Sequence, residues 1–304
     1  MIAAPITRDE GLLEVPGGRV FYRVLAAPGV WGTPLLVVHG GPGSPHDYLG
    51  SLATLAAERP VVFYDQLGCG RSERPAHAAL WRLDRFVAEL AAVRAGLGLD
   101  RVHLYGHSWG TMLVTEYVLG RPAGVAGLVL TSPCLSMRRV RQDMEAHKRE
   151  LPPVVQKIIE THEAAGTTDS GEYRVASMAF YQRRVCRLDP WPPVLQETYA
   201  GWSMDVYRTM WGSSEFRITG NLAGYERAER LGEIATPTLL LCGQHDEMTP
   251  EATRWYQSLI PGAECVVFER SAHLAMLEEP SLHSEVVAGF LRRTEGGDPA
   301  WRST

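Results

Sequence analysis

No run of apolar residues in this chain of 304 is long enough to make a helix that crosses a membrane. The opening stretch, MIAAPITRDEGLLEV, has Arg8, Asp9 and Glu10 where a secretory signal needs an unbroken apolar core, so no leader is read there. Cysteine is sparse and unpaired by spacing. Cys69, Cys134, Cys186, Cys242 and Cys265 are scattered, odd in number and free of any C-x-x-C, which argues against a disulfide framework or a zinc site. Reduced thiols in a cytoplasmic protein are the expectation. No charge of one sign dominates: 30 basic and 35 acidic residues leave a net charge of −5, too mild to call for a polyanionic partner. Arginines gather at Arg138, Arg139 and Arg141 and again at Arg183, Arg184 and Arg187, but no nucleic-acid module accompanies them, and they read as solvated helix faces. Internal repeats and low-complexity tracts are also lacking.

What is present is an alternation. Residues 19–26 are rich in β-formers and fit an antiparallel strand near a sheet edge. The short apolar runs 34–41, 60–68, 101–105, 125–132, 236–243 and 263–269 suit strands buried on both faces. Between them lie helical patterns at 47–58, 83–99, 111–120, 251–260 and 281–293. Asp84 suits the positive end of the second helix, and Gly120 with Pro122 closes the third. This rhythm implies right-handed parallel crossovers and a doubly wound α/β sheet. It stops between 134 and about 230, a polar, helical and aromatic-rich stretch. One core domain, 1–133 with 231–304, interrupted by a helical cap at 134–230, is therefore expected, with a frayed tail from 294 onward.

Within the parallel part stands GHSWG, residues 106–110, at a strand-to-helix change. G-x-S-x-G alone is weak, and its bland reading is a tight turn. In this context, glycines on both sides permit a backbone too sharp for side chains, and the serine hydroxyl rises above the C-terminal edge of the sheet. A serine hydroxyl needs a base and a third group to orient it. Asp246 follows the strand at 236–243 and His273 the strand at 263–269, so Ser108, Asp246 and His273 occur in the chain order this sheet type requires. Glu247 is a rival for the acid role, less well matched to the turn. The oxyanion of an acyl transfer would be met by the N–H of Trp109 and, from the glycine-rich loop after the early strand, of Gly41. His39 reads as a loop-fixing hydrogen-bonder. Cys69 is expected in a loop near the pocket wall. His103 and His107 are four apart but straddle a strand and a turn, so they do not form a helical zinc pair; no metal or cofactor is expected.

The blocks HGGPG (39–43), DQLGCGRSERP (65–75), GHSWG, GQHDEMTP (243–250) and SAHLAMLEEP (271–280) resemble, in order, those of the proline iminopeptidases of the α/β-hydrolase superfamily. The likeness spans nearly the whole chain and is thin across 134–200. His107 stands where many members have glycine. The resemblance implies an α/β-hydrolase fold, with its mostly parallel doubly wound sheet and inserted helical cap. It implies a cofactor-free serine exopeptidase that releases an N-terminal residue, often proline, and acidic side chains that grip the substrate's amino group. Glu215 and Glu247 match such positions. Trp191, Trp202 and Trp211 are expected either to wall a slot for a proline ring or to form the inserted segment's own core. The partner expected is a small peptide or amino acid amide, with no nucleic acid or membrane, and the protein a monomer or small homo-oligomer. An amino acid amidase, an esterase or lactonase, and a slow-turnover binding protein remain alternatives, since function lives in the site and not the fold.

Overall fold

The structure, a computed structural model, describes residues 7–295. Residues 1–6 and most of the expected frayed tail lie outside the described residues. Eight strands form one sheet: β1 (Thr7–Val15), β2 (Gly18–Ala26), β3 (Leu35–Val38), β4 (Val61–Tyr64), β5 (Val102–His107), β6 (Val125–Thr131), β7 (Thr238–Gly243) and β8 (Glu264–Phe268). Their order across the sheet is β1-β2-β4-β3-β5-β6-β7-β8. β2 pairs antiparallel with β1 and β4, and from β4 to β8 all neighbours are parallel.

The parallel strands follow the expected runs because both of their faces are covered. Leu36 and Val38 of β3 enter the core on one side, Leu35 and Val37 the core on the other. β1 departs from the expectation: it is a strand, and it displaces β2 from the edge. Its sequence, TRDEGLLEV, carries four charges and a glycine. Edge strands tolerate charge because only one flank pairs, and this composition conceals their alternation.

Two helices build the face beneath the candidate serine. In α1 (Leu83–Gly96), Phe86, Leu90 and Val93 share one buried stripe, with Asp84 in the first turn as expected. α2 (Trp109–Leu119) is buried over most of its length. The expected helix at 47–58 is a 3-10 helix, Asp47–Ala57. Between β6 and β7 lie α3 (Met137–Arg149), α4 (Pro153–Ala165), α5 (Gly171–Arg184), α6 (Pro193–Gly201) and α7 (Met204–Met210). Val140, Met144, Ile159, Phe180 and Met210 from these inserted helices are continuous with the core on the α1–α2 side. Three more helices follow: α8 (Pro250–Leu259), a single turn α9 (Ala275–Glu278) that the sequence pattern did not signal, and α10 (Pro280–Glu295). Among the described residues no helix is long and apolar enough to cross a membrane.

The strand order reverses at β3. The chain goes from β3 outward to β4, then returns to place β5 on the other flank of β3. The loops leaving the C-terminal ends of β3 and β5 are thereby brought side by side, the crevice where ligands bind in open α/β sheets.

Candidate active site

Ser108 leaves β5 with φ 53° and ψ −122°, a left-handed conformation rare for a non-glycine residue. The sequence around it makes this turn possible. A Cβ on Gly106 would lie 2.7 Å from the Gly110 carbonyl oxygen, and one on Gly110 would lie 2.3 Å from that of Val38. Only glycines let α2 pack this close to β3. The turn is tied to β6, because Ser108 N–H donates to the Thr131 carbonyl at 3.0 Å.

The glycine-rich loop after β3 lies directly against this turn: a Cβ on Gly40 would be 3.1 Å from Ser108 Cβ. His39 fixes that loop, its Nδ1–H donating to the Gly40 carbonyl (3.0 Å) and its Nε2 accepting from Gln66 N–H (2.9 Å). Burial pulls its pKa down to about 4. Gly40 N–H donates to the Tyr48 hydroxyl oxygen (2.7 Å), the Tyr48 hydroxyl donates to His107 Nδ1 (2.7 Å), and His107 Nε2–H donates to the His273 carbonyl (3.0 Å). A continuous chain thus runs from the glycine loop through the residue before the serine to the histidine loop. The Gly41 and Trp109 N–H groups have no hydrogen-bond partner among the described residues. Cys69 is buried in the neighbouring loop, its Sγ 3.1 Å from the Gln66 carbonyl and 3.2 Å from that of Ser44; burial pushes its thiol pKa up.

His273 and Asp246, on the loops after β8 and β7, are in contact. His273 Nδ1–H donates to Asp246 Oδ1 at 2.8 Å. Asp246 Oδ1 also accepts from Met248 N–H (2.8 Å), and its Oδ2 from the Ser132 hydroxyl (2.6 Å). Ser132, at the end of β6, also has a positive φ, 52°. Sequence reasoning missed it, as it missed Tyr48, because neither belongs to a motif.

On its other side His273 Nε2 meets Glu247 Oε1 at 3.4 Å. The two acids that sequence reasoning weighed therefore flank one ring, Asp246 on the orienting nitrogen. Among the described residues Ser108 Oγ makes no hydrogen bond, to His273 or to any other group. Catalytic contacts are often loose before substrate binds. Burial lowers the His273 pKa, but Asp246, Glu247 and Glu215 outweigh it and raise it to about 9.

Glu247 is buried, its Oε2 has no partner, and burial raises its pKa well above the carboxylate range, with Glu215 and Asp246 adding to the rise. Glu215, from the segment after α7, accepts from the Tyr207 hydroxyl at 2.5 Å; desolvation of its carboxyl raises its pKa as well. Trp191, Tyr199 and Trp202 stack in sequence with centroids 5.9 and 5.5 Å apart, and Trp202 meets Tyr207 edge-on at 5.7 Å. Trp202 Nε1–H donates to the Pro42 carbonyl (3.1 Å) and Ser203 N–H to that of Gly43 (2.8 Å), which ties the α6–α7 junction to the glycine loop. Trp211, only 2% exposed, lies in the main core, and its Nε1–H has no partner. The carbonyl of Arg184, ending α5, accepts from both Glu247 N–H and His273 N–H at 3.2 Å. Among the described residues no group of three His, Cys, Asp or Glu side chains could hold a metal ion.

The arrangement is similar to known proteins along nearly its full length. A family model described as alpha/beta hydrolase fold matches residues 33–280. The chain is 46% identical over 283 residues to a proline iminopeptidase of Heyndrickxia coagulans, covering 93% of this chain and 98% of that one. The crystal structure of VinJ superposes with a TM-score of 0.91 at 38% identity, covering 95% of this chain and all of that one. That of a proline iminopeptidase of Mycobacterium smegmatis superposes with a TM-score of 0.87 at 34% identity, covering 94% and 98%.

Proposed function

The chain belongs to the proline iminopeptidase family of the α/β-hydrolases and is a serine hydrolase; from that premise we propose that it releases an N-terminal residue, proline by preference, from small peptides or amino acid amides through an acyl-enzyme. The observation that carries the mechanism is the left-handed Ser108, next in the chain to His107, whose ring lies 4.7 Å from that of a buried His273 with its Nδ1–H bonded to Asp246. Ser108 Oγ attacks the carbonyl carbon as its proton passes to His273 Nε2. Asp246 holds the tautomer and offsets the imidazolium charge. The N–H groups of Gly41 and Trp109 receive the oxyanion, a role supported by their lack of other partners. His273 then protonates the departing amine, and water cleaves the acyl-enzyme by the same steps.

Glu215 and Glu247 bind the substrate's ammonium, or the secondary amine of proline. Glu247 is buried and Glu215 half-buried, and desolvation raises the pKa of both; this supports the role, because neighbouring desolvated carboxylates are stable only when a cation or a proton offsets them. Trp191, Trp202 and Trp211 wall the slot for the ring. The inserted helices act as the cap over the site. Five free cysteines, four of them buried, support action in a reducing cytoplasm.

The test is a substrate panel: proline and alanine arylamides, their N-acetylated forms, and small acyl esters. Free proline arylamide should be cleaved best, and N-acetylation should abolish most of the rate. Glu215→Ala should lower kcat/KM for proline arylamide by a factor of about thirty to a few thousand, the loss of one partner of a buried charge pair. Equal cleavage of free and N-acetylated amides would replace the peptidase by an esterase or general amidase.

A further inference from the structure

The nitrogen of His273 that must take the serine proton is engaged elsewhere. His273 Nε2 lies 3.4 Å from Glu247 Oε1, while Ser108 Oγ makes no hydrogen bond with it. Glu247 is buried, and its second oxygen, Oε2, has no partner. The carboxylate that would bind a substrate amine is thus the same one that holds the base.

We propose that the substrate's ammonium arms the enzyme: by docking on Glu247 and Glu215 it displaces His273 Nε2 from Glu247 and frees it to accept the proton of Ser108. This rests on the peptidase reading and deepens it, since the amino group then controls catalysis as well as affinity. The charge balances. One ammonium enters beside the two glutamates, the His273 imidazolium releases one proton to solvent, and the neutral ring turns its Nε2 lone pair to Ser108. Among the described residues no cationic side chain forms an ion pair or ring contact with His273. Asp246 and Glu247 approach from the loop after β7, Glu215 from the inserted helices and His107 from β5, its ring centroid 4.7 Å away. Burial drives the His107 pKa well down, so that ring is neutral. The Tyr181, Tyr199 and Tyr207 hydroxyls near the glutamates are protonated, their pKa values raised above the ordinary tyrosine value by desolvation and the neighbouring carboxyls. With the His273 pKa raised to about 9, the free enzyme at pH 7 holds its base mainly protonated.

The experiment follows phosphonylation of Ser108 by a small uncharged phosphonate, which needs the base but carries no amine. Pyrrolidinium, added as the amine alone, should accelerate labelling about tenfold or more at pH 7 and saturably. Glu247→Gln should label rapidly without pyrrolidinium, gain nothing from it, and show its alkaline midpoint at least about one pH unit below wild type. An unchanged midpoint in Glu247→Gln overturns the proposal. So does pyrrolidinium that inhibits proline arylamide cleavage competitively but leaves labelling no faster. If Ser108 labels and proline arylamide is cleaved in these cases, the peptidase reading stands and only the arming falls. If no serine labels, the peptidase reading falls and takes the arming with it.

Discussion

Ser108 and Ser132 hold left-handed conformations one strand apart, and neither is a glycine. Such residues cost on the order of 1–3 kcal/mol each and persist where surrounding contacts fix them. For Ser132 those contacts are its N–H to the Leu241 carbonyl (2.7 Å) and its hydroxyl to Asp246 Oδ2. Ser132→Ala leaves a buried charged oxygen without its donor and should lower kcat/KM about tenfold to a hundredfold. Ser132→Gly should lose as much activity but less stability, because glycine relaxes the backbone; kcat/KM and urea midpoints of the two variants check this. Ser108→Ala should lose several powers of ten in rate while its urea midpoint stays near wild type. Of this set, only Ser108, Asp246 and His273 were legible in the sequence. Each sits in a short block at a strand end, whereas Ser132 meets Asp246 across 114 positions and nothing local announces it.

At the scale of elements, the site depends on how closely α2 lies against β3. Gly110→Ala would drive a methyl group to 2.3 Å from the Val38 carbonyl and 2.8 Å from that of His39, both rigid backbone. Unfolding free energy should fall by about 1–3 kcal/mol, measured by urea titration, with loss of activity as the oxyanion loop shifts. Tyr48→Phe cuts the chain from Gly40 to His273 at its centre, orphaning one donor and one acceptor, and should cost about 1–3 kcal/mol in the same assay. The parallel strands and their helices could be read from sequence because burial on both faces imposes unbroken apolar runs. β1 could not, since its charges face outward from an edge, nor could the 3-10 character of Asp47–Ala57, which depends on packing rather than pattern.

The molecule as a whole has titrating groups that pull its stability in opposite directions. Burial lowers the pKa of His39 and His103 to about 4 and of His283 to about 3. Their contribution is complete above the unfolded value near 6.5 and is lost as pH falls toward 4 and below. His273, raised to about 9, contributes fully below 6.5 and loses that contribution as pH rises through 9. Glu247, also raised, adds a loss that begins as pH rises above its unfolded value near 4.5. Stability should therefore peak near neutral pH, and Glu247→Gln should flatten the alkaline side; urea midpoints from pH 4 to 10 test both. Because the inserted helices share one core with the sheet, calorimetry should give a single unfolding transition rather than two.

The Arg184 carbonyl, which accepts from the N–H groups of both Glu247 and His273, also bears on engineering by exchange of parts. A cap grafted from a relative to change substrate range must end its α5 equivalent with a backbone oxygen at that point. Any residue type except one that bends the chain away can supply it. Transplants cut at 134 and 230 that keep the length of α5 should retain chemistry and acquire the donor's selectivity, whereas those that add or delete one residue in α5 should inherit neither.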